Sequence, residues 1–352
     1  MTEANYSQWP APLASHALNA TVPLPGSKSL TNRELVLAAI AEEPTEFAGA
    51  LVSRDSKLMI EALGALGSEI SGAESTTPTV SPAKLNSNAE IDCGLAGTVM
   101  RFVPPLSLLN HGRVTFDGDE GARRRPMGTT ILSLRALGVS VEAEGLSLPF
   151  TVDGTGQVEG GELTIDASSS SQFVSGLLLV APRFKNGLTL RHRGEHLPSM
   201  PHIDMTVACL RARGVSVTEP ERGVWRVEPG VIAGIDIDME PDLSNAAPFL
   251  AAALIAGGRV TVPHWPTHTT QVGDDLGEYF TQFGARVTRD DRGLTVDGGL
   301  GIVGGQPISG VTLDLSTGGE LAPALIALAA LSPEPSTFTG IAHLRGHETD
   351  RL

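Results

Sequence analysis

Cysteine is nearly absent. Cys93 and Cys209 are the only two in 352 residues. They lie in apolar sequence without C-x-x-C spacing, which excludes a disulfide-stapled scaffold and a thiolate zinc site. Aromatic residues make up 4% of the chain, too few for a stacking surface. Long apolar runs are missing as well: "PALIALAAL" (323–331) falls far short of the roughly 20 residues needed to cross a bilayer. The first residues show no basic segment followed by an apolar one, so no signal peptide is expected. Positive charge is in deficit, with 25 Lys and Arg against 40 Asp and Glu, a net charge of −15 and a pI near 5.0. A nucleic-acid or anionic-membrane binder needs a basic face, so neither partner is expected. What remains is a soluble cytoplasmic protein, with a monomer as the expected state.

Apolar residues (41%), glycine (40) and proline (24) are plentiful: enough for a full core, with many short elements joined by tight turns. The length predicts two domains. An internal repeat organises them. Gly67, Gly138, Gly214 and Gly284 recur about 70 residues apart, a spacing typical of a repeated supersecondary unit. Each closes a helical pattern and precedes a β-type run, which fits a helix C′ position needing positive φ. A second helix type alternates with these. It opens near Ser29, Gly97, Ser170, Ser244 and Glu320 and continues as a nearly all-apolar run, so these helices are expected to be internal. Short strands are expected at 113–118, 162–166, 188–192, 259–263 and 311–315. The unit reads strand–helix–strand–helix–hairpin. The chain contains five starts, and the second helix of the fifth is expected near "HETDRL".

The N-terminal ends of the all-apolar helices carry the chemistry. A helix N-terminus offers unpaired N–H groups and about half a positive charge, which suits an anion. In "PGSKSLTNR" (25–33), Lys28 and Ser29 are expected to cap the first helix, with Arg33 one turn on along the same face. In "LAGTVMRF" (95–102), Gly97 lets a ligand approach the backbone because no Cβ intervenes. "SSSQF" (169–173) alone reads as a set of N-cap candidates. "GARRRPM" (121–127) is either a solvated basic loop or a carboxylate and phosphate fork. Two motifs are excluded: "GSKS" lacks the upstream glycine of a P-loop, and "HETDR" has Arg351 where HExxH requires histidine.

Together, "PGSKSLTNR", "LAGTVMRF", "RRRPMG", "SSSQFVSGLLL" and "IAHLRGHETDRL" resemble, in order and spacing, the bacterial 5-enolpyruvylshikimate-3-phosphate synthases, most closely the actinobacterial form. The resemblance implies a two-domain α/β enolpyruvyl transferase fold, built from repeated βαβαββ units around buried parallel helices. It implies transfer of the enolpyruvyl group of phosphoenolpyruvate to the 5-hydroxyl of shikimate 3-phosphate with release of phosphate, a step of chorismate and aromatic amino acid biosynthesis, without metal or organic cofactor. Lys28 would touch both substrates. Ser29 and Arg33 would hold shikimate 3-phosphate, with Ser170, Ser171 and Ser199 on its phosphate side. Gln172 would lie between the substrates, and Gly97, Arg125 and Arg351 would bind phosphoenolpyruvate. Glu320 would accept the hydroxyl proton, Glu348 would serve proton transfer at the methylene carbon, and His347 would touch substrate where many relatives have lysine. Such a site brings two phosphates and two carboxylates together, so cations and helix dipoles are required to offset their repulsion.

Departures from the family pattern accompany the match. A further unit, with a "DHRMAM"-like segment and a late lysine, is expected after residue 352, so the last unit is read as missing. Phe102 stands where many relatives have proline, while Gly97 implies retained sensitivity to glyphosate. Residues 26–240 are expected to form a continuous three-unit domain, and 1–25 with 241–352 a discontinuous, incomplete one. Two other readings were weighed. One is a catalytically impaired fragment that only binds shikimate 3-phosphate. The other is a UDP-N-acetylglucosamine enolpyruvyltransferase, which the Lys28-Ser29 pair and the absence of cysteine near "GARRRPMG" disfavour.

Overall fold

Each predicted glycine stop sits where the backbone requires one. Gly67, Gly138, Gly214 and Gly284 have φ of 108°, 88°, 81° and 100°, values that a Cβ would strain. The computed structural model describes residues 10, 14–82, 84–85, 88–194, 197, 199–346 and 352. Its helices are α1 (Lys28–Ala39), α2 (Arg54–Ala65), α3 (Gly97–Ser107), the short α4 (Glu120–Arg123), α5 (Gly128–Ala136), α6 (Gln172–Val180), α7 (Met200–Ala212), α8 (Ala247–Ala256), α9 (Leu276–Gln282) and α10 (Ala322–Ala329). The glycines end α2, α5, α7 and α9, the outer series. The apolar series is α1, α3, α6, α8 and α10.

Four sheets share one topology. With strands β1 (Leu18–Thr21), β2 (Thr45–Ala48), β3 (Glu69–Ser71) and β4 (Thr79–Ser81) come β5 (Ala89–Asp92), β6 (His111–Asp117), β7 (Ser140–Ala143) and β8 (Phe150–Thr155). Next are β9 (Gly161–Ile165), β10 (Leu188–His192), β11 (Val217–Glu221), β12 (Val224–Val227) and β13 (Ile237–Asp238). The last are β14 (Gly258–Val262), β15 (Arg286–Asp290), β16 (Gly293–Asp297), β17 (Thr312–Asp314) and β18 (Thr337–Thr339). The second unit is ordered β5-β6-β8-β7 and the third β9-β10-β12-β11. In both, the first pair is parallel across a buried helix and a hairpin follows. A parallel pair needs a crossover, which α3 and α6 supply.

The remaining two full sheets borrow their first strand from far along the chain. β13 completes β13-β2-β4-β3, and β1 completes β1-β14-β16-β15. The chain therefore passes twice between the two halves, and the passes run side by side. Ser27 N donates to Glu240 O at 2.8 Å and Asp242 N to Pro25 O at 2.9 Å. Buried apolar side chains fall into two clusters, one from Leu35 to Met239 and one from Leu243 to Leu344, called here the first and second cores. No helix among the described residues is long and apolar enough to cross a membrane.

The expectation that all five apolar helices are internal holds only for the first core. Every residue of α3 is buried, and all of α6 except Gln172. α8 and α10 leave one face open: Phe249 is 45% exposed and Ile326 37%. The cause is the number of neighbours. α1, α3 and α6 enclose one another, whereas α8 has only α10 as an inner partner among the described residues. The expected second helix of the fifth unit falls at 347–351, outside the described residues. Both cysteines are buried, but Cys209 sits against Glu34, not in wholly apolar surroundings; burial first and then Glu34 push its thiol up.

Candidate functional site

A cleft of about 580 Å³ opens between the two cores. It is lined by the first turns of several helices: Lys28 and Ser29 of α1, Arg54 and Asp55 of α2, Gln172 of α6, His202 of α7, then Asp242 and Ser244 ahead of α8 and Glu320 ahead of α10. The N-terminal ends of the apolar series therefore converge, as a shared anion pocket requires.

The cap of α1 differs from the sequence expectation. Ser27 is the N-cap, its hydroxyl accepting from Leu30 N, and Lys28 is the first helical residue. That shift leaves the Lys28 side chain 49% exposed, with Nζ 3.4 Å from Asp55, while its backbone N–H donates to Asp242 Oδ2 at 3.3 Å. Ser29 lines the cleft.

Arg33, the expected shikimate 3-phosphate contact, is buried and bonded to the protein. It is 2% exposed, and its guanidinium serves protein acceptors: Thr206 Oγ1 at 2.8 Å, Ser29 O at 2.8 Å, His202 O at 2.9 Å and Ser175 Oγ at 3.3 Å. It also stacks over Phe102, 5.3 Å from the ring centroid. Burial pulls it down to about 10, against the field of Cys209, Glu320 and Glu34, so it stays charged at neutral pH. In this arrangement it braces α1, α6 and α7 beneath the cleft. Asn32 adds a second brace, donating to Thr98 Oγ1 of α3 at 2.7 Å.

The three consecutive arginines divide by surroundings. Arg123 pairs with Asp117 at 2.6 Å and Arg124 with Glu120 at 2.6 Å, both on the surface. Arg125 turns inward and donates to Leu95 O at 3.0 Å. A Cβ built on Gly97 would meet Arg125 Nη2 at 3.1 Å, Gln172 Oε1 at 3.1 Å and Arg101 Nη1 at 3.3 Å. Gly97, Arg125 and Gln172, drawn from three distant motifs, thus meet at one point, and the side chains approach this closely because residue 97 has no Cβ. Both cationic forks beside it suit a carboxylate or phosphate.

Ser170 Oγ accepts from Gln172 N at 3.3 Å, so part of the capping reading applies. Ser171 is buried and makes no side-chain cap bond. Ser199 precedes α7 with φ of 54°, a left-handed conformation rare for serine. Glu320 extends from a 3₁₀ turn, Gly319–Leu321; its Oε1 accepts from Ser244 Oγ at 3.0 Å and lies 3.6 Å from His202 Nε2. Asp242 is pushed above its ordinary value by burial, against the N–H groups of Lys28 and Asn245, with Glu320 adding to the rise. His347, Glu348 and Arg351 lie outside the described residues.

Sequence reasoning passed over His202, Ser244, Arg54 and Asp55. "LPSMPHID" held a signal for His202, which follows Ser199 by one helical turn. No cluster of metal-ligating side chains occurs among the described residues. A second hollow, lined by Lys84, His111 and Arg183, sits at the opposite ends of the same helices. There Arg183 caps Ile40 O at 3.0 Å, and helix carbonyls disfavour an anion.

Comparison with known proteins gives a consistent result. The family model described as EPSP synthase (3-phosphoshikimate 1-carboxyvinyltransferase) matches residues 13–352. A protein of Kocuria rhizophila named 3-phosphoshikimate 1-carboxyvinyltransferase is 51% identical over 364 positions, covering 100% of this chain and 80% of the relative. An EPSP synthase structure from Acinetobacter baumannii superposes with a TM-score of 0.78 at 24% identity, covering 96% of this chain and 77% of the other. The enolpyruvyl transferase NikO of Streptomyces tendae gives 0.69 at 16% identity, over 92% and 75%. The structural likenesses show the fold, a two-domain enolpyruvyl transferase architecture. Sequence, fold and a cleft ringed by helix N-termini agree: the chain belongs to the EPSP synthase family.

Proposed function

We propose that this protein transfers the enolpyruvyl group of phosphoenolpyruvate to the 5-hydroxyl of shikimate 3-phosphate and releases phosphate. The observation that carries the reading is the meeting of Gly97, Arg125 and Gln172, with Gln172 lining the same cleft as Lys28 and Glu320. Arg125 takes the carboxylate or phosphate of phosphoenolpyruvate, and Gly97 leaves room for it. Lys28 stands where the anionic groups of both substrates approach each other. Ser29, Ser170, Ser171 and Ser199 hold shikimate 3-phosphate, with Gln172 between the substrates. Arg33 holds shikimate 3-phosphate together with Ser29. His347, Glu348 and Arg351 keep their expected roles.

The chemistry divides between charge compensation and proton transfer. Cations and aligned N–H groups lower the energy of bringing two phosphates and two carboxylates into one closed site. Glu320, beside Ser244 and His202, removes the hydroxyl proton as the oxygen attacks, while Glu348 serves the methylene carbon. Residues 26–240 form one domain and residues 1–25 with 241–352 the other. Rotation about the paired passes at Pro25 and Pro241 closes the cleft and excludes water. The protein acts as a cytoplasmic monomer.

A phosphate-release assay on the 352-residue chain tests this. Turnover that requires both substrates is the expected result. Calorimetric binding of shikimate 3-phosphate without turnover would replace the proposal with a binding-only function.

A further inference from the structure

We infer that His202 is a positioning residue for Glu320: it reaches across the cleft from the first core and fixes the carboxylate of the second. The inference rests on the proposed base role of Glu320. His202 Nε2 lies 3.6 Å from Glu320 Oε1. The two residues belong to opposite sides, His202 to α7 and Glu320 to the turn before α10. Glu320 needs such a partner. Its turn follows Gly318 and has no side-chain cap, so its orientation comes from what its carboxylate touches. Ser244 Oγ, 3.0 Å away, lies on the same side of the cleft and moves with it. His202 lies on the other side and ties the carboxylate to the surface where shikimate 3-phosphate is proposed to bind.

His202 is itself rigidly held. Its carbonyl accepts from Arg33 Nη2 at 2.9 Å, Thr206 Oγ1 at 3.1 Å and Ser175 Oγ at 3.4 Å, and its amide donates to Ser199 O at 3.0 Å. The imidazole is therefore mounted on the same network that braces α1, α6 and α7. To hold the carboxylate of a base, Nε2 must carry the proton, since two lone pairs would repel. Among the described residues, the charged groups lining the cleft around the pair are Lys28, Arg54, Asp55 and Asp242, with Arg33 behind the histidine carbonyl. A separation of 3.6 Å shortens to a hydrogen bond with a small closing movement, so the contact strengthens as the domains approach. His202 thereby makes the base's geometry depend on closure.

The test uses the full chain and two substitutions. His202→Phe keeps a ring and removes the N–H; His202→Gln restores an N–H at similar reach. The expected result is a kcat about tenfold lower for the Phe variant, KM values within about twofold of wild type, and recovery of most of the kcat in the Gln variant. An unchanged kcat in the Phe variant, equal losses in both variants, or an effect confined to KM would overturn the inference. A double-mutant cycle with Glu320→Gln, followed by urea unfolding, needs no turnover. Coupling of about threefold or more in the unfolding constant supports the contact, and strict additivity overturns it. A wild-type chain that releases no phosphate removes the proposed function, and the cycle then decides the His202 assignment alone.

Discussion

The two cores use the same unit to different ends. The first encloses the bodies of α1, α3 and α6 and places Lys28, Arg54, Asp55 and Gln172 at the cleft. The second leaves faces of α8 and α10 open and contributes carboxylates, Asp242 and Glu320. The difference follows from what each group must do. Donors that hold an anion work by being fixed in advance, and dense packing fixes them. A base that must meet its substrate only after closure can sit on the less enclosed side.

Substitutions at the cleft should separate these roles most sharply. Glu320→Gln is expected to lower kcat roughly 10²–10⁴-fold while leaving shikimate 3-phosphate affinity nearly intact; equal losses by steady-state kinetics and calorimetry would place Glu320 with the binding residues. Lys28→Met should lower kcat/KM by roughly a hundred- to a thousandfold, enough to look inactive in a routine assay. Near-normal kcat in that variant would remove the anion role of the first core. Gly97→Ala brings a Cβ to 3.1 Å from Arg125 Nη2 and Gln172 Oε1 and so displaces them, and the KM for phosphoenolpyruvate is expected to rise roughly tenfold or more.

Stability should divide along the same line. Leu35 is wholly buried in α1, and Leu35→Ala is expected to cost about 2–5 kcal/mol in urea unfolding. Ile326, on the open face of α10, should lose less than about 1 kcal/mol on replacement by alanine. Equal costs would mean that the second core is as enclosed as the first. The smallest expected effect is on pH dependence. Asp242 is held above its unfolded value, so the native state retains that proton more tightly, and stability falls as pH rises from the unfolded value through the raised one. Asp242→Asn removes that descent, and the Tm measured from about pH 4 to about pH 7 should fall less than in wild type. An unchanged slope would assign the pH dependence to other groups.

Much of the fold was legible because local rules carried it. A glycine that needs positive φ marks its helix end wherever it occurs, and the repeat spacing of those marks gave the unit. The strand expected at 188–192 is β10 residue for residue, since alternating burial is written in the pattern itself. The site was legible in part. Gly97, Arg125 and Gln172 stand out by motif, and the structure brings them together. The run of three arginines does not say which turns inward; the position of the Leu95 carbonyl draws Arg125. The turn between Ser29 and Arg33 is written in the sequence, but only the packing of α6 and α7 against α1 shows which protein acceptors the Arg33 guanidinium meets.

The sequence by itself determined the unit, its repetition and the polar starts of its apolar helices, because propensity, periodicity and turn chemistry act over a few residues. The tertiary structure decided which of those starts share a cleft, which charges are spent on the protein and which side stays open. Those outcomes depend on contacts between residues far apart in the chain, such as His202 with Glu320, whose energies no local segment contains.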